Sequence, residues 1–191
     1  ILGGNDQIAT ILFSDVRSFT TITEKLGAQA TVGLLNDYFE LMVECISEQG
    51  GMLDKFIGDA IMAAFGIPIS HDDDEDRALR AGISMIQSLW QWNTKRQSNG
   101  ELEIDMGLGL NTDSIVAGNI GSRKRMDYTM IGDGVNLAAR LESACKQYGA
   151  RILVSEYTVG KLKGVYRLRD IDKVIVKGKS EPVRVFECLD Y

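Results

Sequence analysis

Residues 52–65 read MLDKFIGDAIMAAF, two short apolar runs on either side of the pair Gly58-Asp59. A Gly-Asp pair between strand-like runs suits a tight two-residue turn, so Met52 to Ile57 and Ala60 to Phe65 are expected to form a β-hairpin with Asp59 at its tip. Further along, Ile104, Met106, Leu108 and Leu110 alternate with Asp105, Gly107 and Gly109, the period of a strand. Its glycines permit another backbone to approach closely. After the polar trio Asn111-Thr112-Asp113, Ser114 to Ile120 reads as a second hairpin partner.

Working outward, Ile8 to Phe13 is an apolar run without alternation, the mark of a strand covered on both faces, and it ends at Ser14-Asp15. From Thr31 to Glu48, Val32, Leu35, Phe39, Met42 and Ile46 fall at helical spacing until Gly50-Gly51 stops the pattern. The run from His71 to Asp76 puts acidic side chains in the first turn of a helix reaching about Trp92, where they complement the helix dipole. A strand from Tyr128 to Ile131 leads through Gly132-Asp133 into a helix from Gly134 to Gln147, with Asp133 as expected N-cap. The tail reads as a strand over Arg151 to Val154, a short helix from Ser155, and strands over Val165 to Leu168, Lys173 to Lys177 and Val183 to Cys188. The expected order is β-α-α-β-β-α-β-β-β-α-β-α-β-β-β. Hairpins outnumber crossovers, so the fold class is α+β, a mostly antiparallel sheet flanked by helices.

The 191 residues, without repeats or low-complexity tracts, form one domain over 1–191. With 21 basic against 27 acidic side chains the net charge is −6, which argues against a nucleic-acid-coating protein. Cys45, Cys145 and Cys188 are too widely spaced for a CxxC pair, so a reducing compartment, the cytoplasm, is expected. No apolar run reaches the roughly 20 residues of a bilayer span, which gives no membrane contact. Ile1-Leu2-Gly3-Gly4 lacks the regions of a signal peptide, and the start without Met suggests a piece of a longer multidomain protein.

Asp15, ending a buried strand, and Asp59, tipping a hairpin, could lie side by side in one sheet. Two close carboxylates repel unless a proton or cation stands between them, and hard oxygen donors suit Mg²⁺ or Mn²⁺. Each also reads as an ordinary turn residue. Asn136, Arg140 and Ser143 lie on one side of their helix and Val135, Leu137, Ala138, Leu141 and Cys145 on the other. A guanidinium there could meet an anion with several directed donors, or simply pair with an acidic neighbour on a solvated face. Arg123, Lys124 and Arg125 form a basic turn, and Lys177 and Lys179 flank Gly178. Gly178-Lys179-Ser180 ends like a phosphate-binding P-loop, but Lys173 stands where that loop needs glycine, and Pro182 with a strand follows where it needs a helix. His71, the one histidine, reads as a solvated loop residue.

Five segments together resemble the catalytic domain of class III nucleotidyl cyclases. They are Phe13 to Thr20, Asp54 to Asp59, Gly118 to Gly121, Asp127 to Glu142 and Val176 to Lys179, in the family's order and spanning nearly the whole chain. The resemblance implies a ferredoxin-like α+β domain working as a homodimer with ATP bound between subunits. It makes Asp15 and Asp59, with the carbonyl of Val16, ligands of two Mg²⁺ or Mn²⁺ ions. Asn136 would orient the ribose, Arg140 would meet charge at the α-phosphate, and Lys177 and Arg123 would hold the remaining phosphates. The carboxylates would come from one subunit and the Asn, Arg and base readers from the other.

The same resemblance puts Lys55 and Thr129 at the base-reading positions. Adenine offers an acceptor at N1 and a donor at N6, matching an ammonium and a hydroxyl oxygen; guanine reverses that edge and would leave Lys55 facing a donor. The implied activity is adenylyl cyclase, ATP to 3′,5′-cyclic AMP and pyrophosphate, by in-line attack of the ribose 3′-hydroxyl. Threonine where many relatives carry aspartate resembles a soluble, bicarbonate-responsive subgroup, which implies bicarbonate as an effector. Asp113 stands in an expected turn where relatives often carry glycine.

Overall fold

The structure, a computed structural model, describes residues 3–191, so Ile1 and Leu2 of the stretch read for leader features lie outside the described residues. The chain runs β1 (Gly3–Val16), α1 (Phe19–Leu26), α2 (Ala28–Glu48), β2 (Met52–Ile57), β3 (Ala60–Phe65) and α3 (Asp74–Ser98). It continues with β4 (Met106–Ser122), β5 (Arg125–Ile131), α4 (Asp133–Tyr148), β6 (Ile152–Ser155), α5 (Glu156–Val159), β7 (Leu168–Val174) and β8 (Val183–Cys188). One sheet takes the order β2-β3-β1-β4-β6-β8-β7, with β5 paired to β4 outside that path. The first four strands thus form the β2-β3-β1-β4 arrangement of a ferredoxin-like βαββαβ unit, antiparallel throughout. The β4–β6 pair is parallel, and α4 makes the crossover that a parallel connection requires.

Side-chain alternation along the central strands sends one set of residues to each face. Leu12, Ile61, Ala63, Phe65, Met106 and Leu108 pack under Tyr38, Met42 and Ile46 of α2 and Leu79, Met85 and Ile86 of α3. On the opposite face, Ile11, Met62, Ala64 and Ile115 meet Ala138 of α4. Because both faces are covered, β1 is apolar without alternation at its centre, as expected, but it extends well beyond the six residues of that run in both directions. The 52–65 hairpin forms as read, with Gly58 at φ 62° in its turn.

Several expectations are corrected. Asn111-Thr112-Asp113 is no turn: β4 runs straight through it, and Asp113 lies opposite Ala9 of β1. The polar side chains that suggested a loop are instead bonded inside the core. Asn111 donates to the Gly134 carbonyl (3.0 Å) and accepts from Ser155 (2.6 Å), while Thr112 bonds Thr10 (2.8 Å) and Thr158 (2.9 Å). Asp133 is the first residue of α4 and makes no capping bond; Gly132 is the N-cap. In the tail, β7 spans Leu168–Val174 where two strands were expected, and 175–182 is a loop. The helix expected from residue 31 also begins three residues earlier, and α3 continues to Ser98.

The glycines of β4 do what their spacing suggested. A Cβ on Gly109 would stand 2.4 Å from the Ala138 carbonyl oxygen and 2.6 Å from the Glu142 nitrogen, so α4 lies directly on the strand backbone. That contact fixes the height and rotation of α4 beside the end of β1, where Asp15 pairs with Gly107.

Candidate active site

Asp15 and Asp59 are brought together, as the hairpin reading required. The Val16 backbone N–H donates to Asp15 Oδ1 at 2.9 Å and to Asp59 Oδ2 at 3.1 Å, so one amide is shared between two carboxylates. Asp15 is pushed up to about 8, first by burial and then by its hydrogen bond to Asp59 and the charges of Asp59 and Glu142. Glu142, on α4, rises to about 7 through burial and the Asp59 charge, against the lowering effect of Arg17. Nothing in the sequence pattern assigns Glu142 a role; its part in this acidic cluster appears once α4 is seated on β4. Half-buried carboxylate oxygens apposed in this way fit a hard divalent cation, which would remove the repulsion that the shared amide relieves in part.

The basic candidates lie elsewhere on the same helix. Asn136 and Arg140 are four residues apart, about 40° around a helix, and share a face; Glu142 is two residues beyond Arg140, about 200° away. With Glu142 turned toward the acidic cluster, Arg140 points away from it. Asn136, Arg140 and Lys177 line one pocket with Asp133, Leu137 and Val176, about 250 Å³ in volume. Arg140 donates to the Ile175 carbonyl, which holds the guanidinium at the pocket edge and leaves its other N–H groups free to bind. Arg123 does not join this group: it is exposed in the turn between β4 and β5.

A third group forms where β2 meets β5. Lys55 Nζ donates to Thr129 Oγ1 at 2.9 Å, uniting residues 74 apart in sequence. A β-bulge makes this possible. Leu53 lies opposite Ala63 and Lys55 opposite Met62, so one extra residue, Asp54, is accommodated between them. Regular pairing would have set Lys55 opposite Ile61, on the face covered by α2 and α3. Phe56 takes that side instead and stacks on Phe39 of α2, ring centroids 4.1 Å apart.

The family model for the adenylate and guanylate cyclase catalytic domain matches residues 4–187. An adenylate cyclase of Anabaena cylindrica is 41% identical over 93% of this chain, and the terminal-differentiation-specific adenylate cyclase of Dictyostelium discoideum 40% over 95%. The chain spans 36% and 8% of those proteins' own lengths. Among solved structures, the adenylyl cyclase CyaB of P. aeruginosa superposes with a TM-score of 0.89 at 36% identity, covering 100% of this chain and 97% of that one. The guanylyl cyclase Cya2 gives 0.88 at 37%, covering 98% and 94%. Overall likeness therefore does not separate adenine from guanine. The chain belongs to the family of adenylate and guanylate cyclase catalytic domains.

Proposed function

We propose that this domain converts ATP to 3′,5′-cyclic AMP and pyrophosphate at sites shared between two copies of the chain. The observation that carries the reading is the division of α4: its acidic cluster and its Asn136–Arg140 pocket face opposite ways, so one chain supplies two different halves of a site. A two-fold pair places the halves of one copy against the complementary halves of the other, making two equivalent sites. Exposed Val116, Ile120, Met126, Tyr128 and Ile131 give the β4–β5 hairpin an apolar surface suited to that pairing.

Asp15 and Asp59, with the Val16 carbonyl, would hold two Mg²⁺ or Mn²⁺ ions, whose chemistry is to acidify the ribose 3′-hydroxyl and neutralise triphosphate charge. The chain's own residues position the rest. Asn136 orients the ribose, and Arg140 donates to the α-phosphate oxygens as charge grows there during in-line attack. Lys177 holds the departing pyrophosphate, and Arg123 reaches it from its exposed turn. Lys55 donates to adenine N1 while Thr129 accepts from N6, which favours ATP over GTP despite the equal likeness to a guanylyl cyclase. Bicarbonate stimulation, implied by the subgroup resemblance, rests on Thr129 alone.

The test is cyclic nucleotide formation by the purified domain with ATP or GTP and with Mn²⁺ or Mg²⁺, using Asp59→Ala as control. Cyclic AMP that vanishes in the variant supports the reaction and the carboxylate role together. Product from GTP in preference to ATP would reverse the base assignment. No product from either, at concentrations where a dimer is measured, would leave a catalytically silent dimerisation module.

A further inference from the structure

The bulge that turns Lys55 into the cleft also creates a residue which the proposed chemistry does not use. Asp54 is the extra residue of the bulge, and its side chain is 1% exposed. Its Oδ2 is buried and has no hydrogen-bond partner. Burial raises its pKa above the ordinary carboxylate value, and the neighbouring Lys55 ammonium draws it back down. An unsatisfied buried carboxylate oxygen destabilises the fold, so Asp54 is poorly suited to a purely structural place in a strand.

Its surroundings give the charge a use. Lys55 Nζ stands 3.6 Å from Asp54 Oδ2, just beyond hydrogen-bond reach, while donating to Thr129 Oγ1 at 2.9 Å. The ammonium is thus held from two sides, by a charge beneath it and a hydroxyl across the cleft. An ammonium has three N–H donors and free rotation about its last bond. With one N–H taken by the Thr129 hydroxyl and the ammonium restrained by the Asp54 charge, an N–H is left for the cleft of about 460 Å³ that Asp54 and Lys55 line with Arg125, Met126, Asp127 and Tyr128.

We propose that Asp54 is a positioning residue for purine selection, its buried carboxylate holding the Lys55 ammonium so that one N–H is aimed at the acceptor nitrogen of the base. This deepens the proposed function and rests on the reading of Lys55 and Thr129 as base-contacting residues. Asp54 touches no nucleotide in this scheme and acts through Lys55.

The experiment compares wild type, Asp54→Asn, Lys55→Met and the double variant in the full domain. Asp54→Asn is isosteric and removes a buried charge, so its Tm should be unchanged or higher. Its kcat/KM for ATP should fall about tenfold, mostly through KM, with the ATP-to-GTP ratio falling in step. In the Lys55→Met background the same substitution should change nothing further. A lower kcat with an unaltered ATP-to-GTP ratio, or an equal effect with and without Lys55, would overturn the proposal. The wild-type purine preference separately tests the function itself. ¹⁵N NMR of lysine ammonium groups in nucleotide-free protein requires no turnover: a Lys55 signal, assigned by its loss in Lys55→Met, should be ordered in wild type and broadened in Asp54→Asn. Absence of an ordered wild-type signal, or one that Asp54→Asn leaves unmoved, counts against the positioning role whatever the substrate.

Discussion

The two sides of α4 pose opposite electrostatic problems. Toward β1 and the hairpin tip, Asp15, Asp59 and Glu142 crowd carboxylates into a half-buried space, where burial and the neighbouring Asp59 push Asp15 up to about 8. Toward the 175–182 loop, Arg140 and Lys177 present cationic donors around an open pocket. The first side suits a cation and the second an anion. In the proposed scheme a metal–triphosphate complex would supply both at once, so two half-sites on separate chains would complete each other without either chain carrying an unpaired charge excess inside its own core.

The strongest way to break this contrast is to disable one half at a time. Asp59→Ala and Arg140→Ala should each reduce cyclic AMP formation by on the order of 10² to 10³-fold or more, the former by losing the cation and the latter by losing charge stabilisation. Mixing the two variants should then restore about a quarter of wild-type activity, because half the dimers formed at random are mixed and each mixed dimer has one intact site. A mixture no more active than its components, with subunit exchange verified, would mean that the halves come from the same chain.

Within the basic half, the two steady-state parameters distinguish binding from catalysis. Arg140 is expected to act on charge that develops during attack, so Arg140→Ala should lower kcat by about 10²-fold or more while KM changes little. Lys177→Ala should fall mainly on KM, because the terminal phosphates carry their charge before and after the chemical step. If Arg140→Ala raised KM with kcat intact, the guanidinium would be a ground-state anchor.

The acidic half predicts a pH dependence with a definite sign. Asp15 rises from 3.8 to about 8 in the fold, so near neutral pH a divalent cation must displace its proton. Mn²⁺ affinity should therefore increase as pH rises from 6, by up to about tenfold per unit, and level off above 8. Calorimetry in buffers of different ionisation enthalpy should register proton release on binding. In metal-free protein the same shift means that the folded state holds the proton more tightly. Its contribution to stability is greatest at the acid end and is lost as pH rises from about 4 to 8. An affinity flat over this window would show that Asp15 is already ionised.

What sequence could disclose differs between these regions for a physical reason. The Gly58-Asp59 hairpin, the twin-covered β1 and the glycines under α4 are local patterns, and each is found where it was read. The Asn136 and Arg140 face was legible from helical spacing, and the joining of Asp15 to Asp59 followed once their strands were placed in one sheet. Asn111-Thr112 misled because its polarity is satisfied by Ser155, Thr10 and Thr158, partners supplied by distant segments. Asp54 and Glu142 escaped for a related reason. A bulge is a relation between two strands, and the approach of Glu142 to Asp59 depends on how closely α4 lies on Gly109.

The smallest effect belongs to the base-reading pair and sharpens the contrast most finely. Thr129→Ala removes the acceptor for Lys55 and, in the proposed complex, for the adenine amino group. One such hydrogen bond contributes about 1 kcal/mol net, so kcat/KM for ATP should fall about fivefold, through KM, with the GTP value nearly unchanged. Mn²⁺ affinity should remain at the wild-type value, since Thr129 lies outside the acidic cluster. A simultaneous loss of metal affinity would show that the base-reading pair and the acidic cluster are coupled through the sheet within one chain, and the groups the structure sets apart would then act as one.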